Sequence, residues 1–318
     1  MIGSSVEVAK QHLIDGKLVA IPTETVYGLA ANALNPEAVS NIFKAKNRPS
    51  FDPLILHVDS LEKVKEIVLG KIPETAIKLA NAIWPGPLTM VLPRKPHIPD
   101  LVTSGLETVA IRIPNHPLTL ELLSKLDFPL AAPSANPFGY ISPTEAQHVE
   151  AQLGEKTAYI LDGGKCKVGL ESTIISFAGE QPTVLRKGGL AIEELESLMG
   201  AKLAIREHSS SRPDAPGMLH KHYSPKVPFE LGDIESLLKE HKGKNIATLS
   251  LSKTFKGISS TLQFVLSEKE DLSEAARNLF AYLRTLDQLQ PDIILAELVP
   301  EEGLGRAIND RLRRAAAK

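Results

Sequence analysis

The chain has 318 residues, 43% of them hydrophobic and 23% charged, with a formal net charge of −2. That length exceeds what one hydrophobic core ordinarily serves and predicts two domains. The near-neutral balance excludes a global field drawing the protein to nucleic acid or membrane, so any electropositive site must be local.

Residues 5–15 place Val6, Ala9, Leu13 and Ile14 near helical spacing, and they lack the apolar core of a signal peptide. No apolar run approaches the ~20 residues of a membrane span. The single cysteine, Cys166, excludes an intrachain disulfide and any CxxC pair. A cytoplasmic protein is expected.

Residues 18–21 are a short apolar run stopped by Pro22, which reads as a buried strand. Thr23-Glu24-Thr25 then sets two hydroxyls and a carboxylate at a strand end, where α/β proteins tend to place ligands, and Gly28 permits close backbone approach. Residues 36–46 read as a helix opened by proline, with Val39, Ile42 and Phe43 on one face. Its last turn delivers Lys44, Lys46 and Arg48 into a loop before a strand at 54–58 that carries His57. Helices are expected at 60–68, 73–83, around 117–126 and from 144, and strands at 88–92, 108–113, 158–161, 172–177 and 183–185. Such mixed ordering predicts an α/β or α+β unit built on a mixed sheet.

Residues 206–226, REHSSSRPDAPGMLHKHYSPK, are a linker by composition. Met218, Leu219 and Tyr223 are apolar or aromatic, which a flexible spacer does not need. Strands at 227–231, 246–251, 261–266 and 293–298 then alternate with helices at 233–242, 272–289 and 304–316. In the long helix Leu272, Ala275, Ala276, Leu279, Phe280, Leu283 and Leu286 mark an apolar face. This second unit, 227–318, reads as a small doubly wound, Rossmann-like domain, following a first unit at 1–205.

Several common sites are absent from the sequence. No Gly-Lys pair is followed by Ser or Thr, so there is no Walker A loop, and neither GxGxxG nor HExxH occurs. Ser134 and Ser172 lie outside any GxSxG elbow. What stands out is a set of polar residues at predicted strand ends: Thr23, Glu24, Thr25, Lys46, Arg48, His57, Arg112, Ser134, Asn136, Ser142, Ser172 and Arg186. If these ends converge, they line a cavity of cations and hydroxyls suited to a phosphorylated ligand and a small polar co-substrate. Arg112, inside the apolar run VAIRI, must find an anionic partner. Lys44, Lys46 and Arg48 repel one another and call for a bound anion, unless they form a solvated helix end. His57 is either a ligand contact or a satisfied core histidine. Ser134 and Asn136 are site residues or turn formers. Ser172 could simply close a strand, and Arg186 could be a solvated strand end.

Seven segments, IPTETVYGLAANA, KAKNRPSFDPLILHV, WPGPLTMVL, TVAIRIPNHP, APSANPFGYISPT, ESTIISF and VLRKGG, resemble the YrdC-like family in order and spacing. With PGMLHKHYSP in the linker and GLGRAINDRLRRAA near the end, the chain resembles the long, two-domain form, the L-threonylcarbamoyladenylate synthases. The resemblance implies a twisted mixed-sheet domain with a concave basic site. It also implies that L-threonine, bicarbonate or CO2, and ATP yield threonylcarbamoyl-AMP and pyrophosphate, for N6-threonylcarbamoyladenosine in tRNA. Carried over, Thr25, His57, Arg112, Ala132 and Ser172 would contact threonine. Lys46, Arg48, Asp52, Thr108, Ser134, Asn136, Ser142, Arg186 and Tyr223 would surround ATP, with Lys46 and Arg48 catalytic. Arg112 would grip the threonine carboxylate with both arms. The linker would act as a lid, Mg²⁺ would enter with ATP without a metal site of the protein's own, and the product would pass to a tRNA-modifying threonylcarbamoyl transferase complex. His57 is a candidate proton acceptor, or serves only to position. Where the family often shows Gly then Asn, this chain has Asn47 and Asp52. Asp52 either helps hold the metal or points away from the phosphates. Direct contact with tRNA stays open. An RNA-binding YrdC-like module and another carbamoyl-adenylate enzyme are the alternative readings; the hydrogenase-maturation type of the latter carries zinc-finger-like cysteines that this chain lacks.

Overall fold

The structure is a computed structural model that describes residues 1–206, 215–217 and 222–317. Most of the expected linker, with Met218 and Leu219, lies outside the described residues.

The first unit opens with β1 (Ile2–Gly3), α1 (Val6–Ile14), β2 (Val19–Ile21), β3 (Gly28–Asn32), α2 (Pro36–Lys46), β4 (Ile55–His57), α3 (Leu61–Ile67) and α4 (Glu74–Ile83). It continues through β5 (Leu88–Pro93), α5 (Asp100–Thr103), β6 (Thr108–Arg112), α6 (Pro117–Ser124), β7 (Leu130–Ala131) and α7 (Ala146–Leu153). It closes with β8 (Tyr159–Leu161), β9 (Thr173–Ser176), β10 (Thr183–Arg186), α8 (Ile192–Met199) and β11 (Ala204–Ile205). Among the described residues eleven strands make one mixed sheet, ordered β1-β8-β2-β3-β7-β4-β6-β5-β9-β10-β11.

Local chemistry explains the elements that aim the site. At the start of α2, Asn35 accepts from the Glu37 and Ala38 N–H groups, and Pro36 follows as the first helical residue. The helix stops at Asn47, whose left-handed φ of 52° suits an asparagine and turns Arg48 back beneath the sheet. Strands β4 and β6 run parallel with His57 opposite Arg112. Because side chains alternate across a strand, Leu56, Ile111 and Met90 join the helix-covered main core. Ile55, Val91, Ala110, Ile174 and Leu185 face the other way, where Ala215 covers them. His57 and Arg112 share that second face.

The second unit comprises β12 (Phe229–Leu231), α9 (Ile234–Glu240), β13 (Ile246–Ser250), β14 (Gln263–Val265), α10 (Leu272–Gln288), β15 (Ile293–Ala296) and α11 (Gly305–Ala316). Its four described strands are all parallel, in the order β12-β15-β13-β14. Ile293 and Leu295 pack with Ile234 and Leu237 of α9 on one face. Ile294 and Ala296 pack with α10 and α11 on the other. This is the doubly wound arrangement expected from the alternating pattern.

The units share a core. Val26, Ile141 and Leu170 of the first pack into the cluster of Ala276, Leu279, Phe280 and Leu283 from α10. Polar bonds reinforce this junction: Arg284 Nε donates to Ser142 O at 3.1 Å, and Tyr140 Oη donates to Asp287 Oδ2 at 2.5 Å.

Six elements, β1, β3, α5, β7, α8 and β11, were not expected from the sequence. Strand β3 was unexpected because GLAAN is buried almost throughout and has no alternation to betray it. Helix α8 was also unexpected, although Ile192, Leu195, Leu198 and Met199 carry helical spacing that could have found it.

Candidate functional site

A cavity enclosing about 530 Å³ of empty space, counting its mouth, opens on the second face of the large sheet. Its floor is Ile55 and His57 of β4 and Arg112 of β6. One wall is Gly28 with Ala132, Pro133 and Ser134, and another is Glu171, Ser172 and Arg186. Pro216, Gly217, His222 and Tyr223 close it over. Gly28 is a close approach, as expected: a Cβ there would meet the Ala132 Cβ at 3.2 Å.

Each cation has a definite setting. Arg48 lines the cavity, pairs with Asp52 at 2.9 Å and donates to Asp52 O and Pro53 O at 3.0 and 2.8 Å. Lys46 is buried, and its Nζ donates to Ser134 O and Asn136 O. Burial, helped by the charge of Arg48, pushes the Lys46 ammonium well below the ordinary lysine range. Arg186 donates to Ser172 O from Nε and Nη2 at 3.1 and 2.9 Å, to Ser172 Oγ at 3.1 Å, and to Pro216 O at 3.2 Å. Among the described residues neither Lys46 nor Arg186 makes an ion pair. Lys44 is exposed, as a solvated helix-end residue would be.

Arg112 found its anion inside the protein. Nη2 lies 2.7 Å from Glu24, Nη1 donates to Thr25 Oγ1 at 2.8 Å, and Nε donates to Gly86 O at 3.3 Å. A two-armed grip on an outside carboxylate is therefore not preformed. His57 Nδ1 lies 3.2 Å from Ile55 O, and burial, followed by the Arg112 charge, pushes the ring down to about 3. It is neutral near pH 7 and a poor proton acceptor there.

Glu171 is the carboxylate that sequence reasoning did not single out. Its Oε1 accepts from Ser142 Oγ, and its Oε2 accepts from Arg311 Nε of α11 at 3.0 Å. Burial alone would raise this carboxyl, but Arg311, then Arg186 and Ser142, hold it below the usual carboxylate range. The available signal was a glutamate heading the apolar run ESTIISF, the same argument that marked Arg112.

Comparison with known proteins follows the same outline. A family model described as "Telomere recombination" (Sua5_yciO_yrdC) matches residues 11–188, and one described as "Threonylcarbamoyl-AMP synthase, C-terminal domain" matches residues 190–317. A curated threonylcarbamoyl-AMP synthase of Pyrococcus abyssi is 42% identical, over 98% of this chain and 94% of its own. One of Bacillus subtilis is 40% identical, over 96% and 90%. The crystal structure of P. abyssi Sua5 complexed with L-threonine superposes with a TM-score of 0.93 at 40% identity, covering 99% of this chain and 97% of that one. The chain belongs to the threonylcarbamoyl-AMP synthase family.

Of the residues that the synthase resemblance implied, Arg48, His57, Arg112, Ala132, Ser134, Ser172, Arg186 and Tyr223 line the one cavity. Thr25 sits behind Arg112, sharing a 2.7 Å hydrogen bond with Thr23. Lys46, Asp52, Asn136 and Ser142 also stand one layer back. Lys46 props the 133–137 turn from below, and Asn136 Nδ2 bonds Pro137 O and Tyr140 O at 2.8 Å, which is the turn-former role. Asp52 is not among the lining residues and pairs with Arg48 at 2.9 Å. Thr108 is not among the residues that line this cavity; it lies four residues before Arg112 on β6, about 13 Å along the strand at 3.3 Å per residue, paired with Pro93.

Among the described residues no helix is long and apolar enough to cross a membrane.

Proposed function

We propose that this chain makes L-threonylcarbamoyl-AMP from L-threonine, bicarbonate or CO2, and ATP, with release of pyrophosphate, toward N6-threonylcarbamoyladenosine in tRNA. The observation that supports this most is buried positive charge on the cavity wall. Arg186, less than a tenth exposed, lines the cavity without an ion pair among the described residues. A buried cation lacking a counter-ion is costly, and a bound phosphate chain removes that cost.

The mechanism follows from the geometry. Threonine's neutral amine adds to CO2, forming the N–C bond as a C=O π bond opens, and the proton it loses is taken by bicarbonate, so that amine and bicarbonate give carbamate and water in sum. The resulting carbamate is short-lived in water, so Tyr223, His222 and the 216–217 backbone serve by excluding solvent. A carbamate oxygen then bonds to the α-phosphorus as the bond to pyrophosphate breaks. Arg48 and Arg186, fixed by backbone carbonyls, stabilise charge developing on the phosphates without rearranging. Lys46 adds to that field from behind the Ser134 turn. Thr25, His57, Arg112, Ala132 and Ser172 form the threonine side. With Arg112 tied to Glu24, threonine's carboxylate shares that guanidinium with Glu24. His57, held neutral, positions by hydrogen bonding.

Magnesium enters with ATP and, held by the phosphates, would neutralise charge on the departing pyrophosphate. Among the described residues no group of three His, Cys, Asp or Glu offers a ligand set, and Asp52 is committed to Arg48. The product is a mixed anhydride and labile, which suits direct transfer to a tRNA-modifying complex in the cytoplasm. The reading divides the chain into a catalytic domain (1–205), a lid (206–226) and a second domain (227–318). Incubation with ATP, bicarbonate and threonine tests it. Pyrophosphate release is expected only when all three are present, and release without threonine, or none from folded protein, contradicts it.

A further inference from the structure

Among the contacts by which the second unit reaches the cavity wall, one is a buried guanidinium. Arg311 of α11 is 0% exposed, and three elements of the wall meet on it. Its Nε donates to Glu171 Oε2 at 3.0 Å, its Nη2 donates to Lys187 O at 3.0 Å, directly after Arg186, and its plane lies 4.9 Å from the centre of the Tyr223 ring. Asp310 balances it at 2.6 Å. Phe280 of α10 stacks on the Tyr223 ring with centroids 5.5 Å apart, so the tyrosine is held between residues of α10 and α11. Glu171 in turn holds Ser142.

Burying an ion pair is seldom worth more to stability than an apolar contact of the same volume. What the pair does provide is direction. A planar fork with fixed donors fixes the positions of the groups that accept from it. Here those groups are Glu171, the backbone after Arg186, and Tyr223, and of the cavity residues assigned above, Arg186 and Tyr223 belong to the nucleotide side. Among the described residues none of those assigned to threonine, Thr25, His57, Arg112, Ala132 and Ser172, makes a hydrogen bond or ion pair with Arg311.

We propose that Arg311 is a positioning residue for ATP, supplied to the catalytic cavity by the second unit. The proposal rests on the reading that the Arg186–Tyr223 side holds the nucleotide. It implies that the second unit tunes one substrate and not the other.

Calorimetric titration of the full chain with ATP and, separately, with L-threonine tests this, using Arg311→Gln, Arg311→Lys and the double variant Glu171→Gln/Arg311→Gln. Arg311→Gln is expected to weaken ATP binding about tenfold, the size of a lost charge-assisted contact, and to leave threonine binding within about twofold. Arg311→Lys does not restore ATP binding, because an ammonium cannot span Glu171 and Lys187 O together. The double variant removes both halves of the Arg311–Glu171 pair, so neither is left buried without the other; it folds even if Arg311→Gln does not, and it shows the same selective loss. Equal weakening of both ligands, or unchanged ATP affinity in the folded double variant, overturns the proposal. Wild-type protein that binds both ligands yet makes no pyrophosphate would overturn the proposed reaction, while the comparison of affinities would still decide the role of Arg311.

Discussion

Arg48 and Arg186 are both buried cations lining the cavity, but their surroundings predict opposite consequences for truncation. Arg186 bonds only to neutral oxygens among the described residues. Arg186→Ala should therefore cut pyrophosphate release by on the order of a hundredfold or more while lowering the melting temperature little. Arg48→Ala should lose activity and stability together, because Asp52 is left buried without its partner at a cost of about 3–5 kcal/mol. Thermal melts alongside the rate assay distinguish the two. If Arg48→Ala melts like wild type, the Arg48–Asp52 pair is not the support described here. His57 gives a prediction in pH. Its pKa falls from 6.5 to about 3 on folding, so the unfolded chain binds the proton more readily, and stability rises with pH across that interval. The contribution is complete above pH 6.5 and is lost as pH falls toward 3. His57→Gln should flatten that part of the acid-unfolding profile and leave the pH dependence of the rate near neutrality unchanged. A rate profile that shifts with this substitution would make His57 the proton acceptor after all.

At the scale of elements, the linker is held to the cavity by close backbone contact. Gly217 has φ +77°, and a Cβ there would meet Tyr223 Oη at 3.0 Å and Arg186 Cδ at 3.2 Å. Gly217→Ala should cost about 1 kcal/mol of stability for the left-handed backbone and raise the KM for ATP by displacing both side chains. An unchanged KM would mean that this segment does not shape the nucleotide side. Much of this level was legible in the sequence. The Asn35-Pro36 start and Asn47 stop of α2 are local signals, and VAIRI announced a strand with a buried charge. Less legible was anything that depends on what packs opposite. Arg112 called for an anion, but nothing in its neighbours said that Glu24 was that anion and not a substrate. Lys46 and Arg48 are two residues apart in one motif, yet only the fold shows that one props a turn and the other faces the cavity. Thr108 belongs to the same strand as Arg112, yet only Arg112 is among the residues lining the cavity.

At the scale of the whole molecule, two sheets with separate topologies meet at a site that the first unit forms and the second helps to close. Alternation after the linker announced the second unit's fold, but its contribution to the cavity depends on Arg311 meeting Glu171 from 140 residues away in the chain, and no local pattern encodes that. The central claim concerns what the joined cavity makes. Bicarbonate labelled in carbon and threonine labelled in nitrogen, supplied with ATP, test it directly through the mass of the adenylate formed. The account predicts one product that carries AMP, the bicarbonate carbon and the threonine nitrogen together. An adenylate with threonine but without the bicarbonate carbon, formed through the amino acid's own carboxylate, would contradict it.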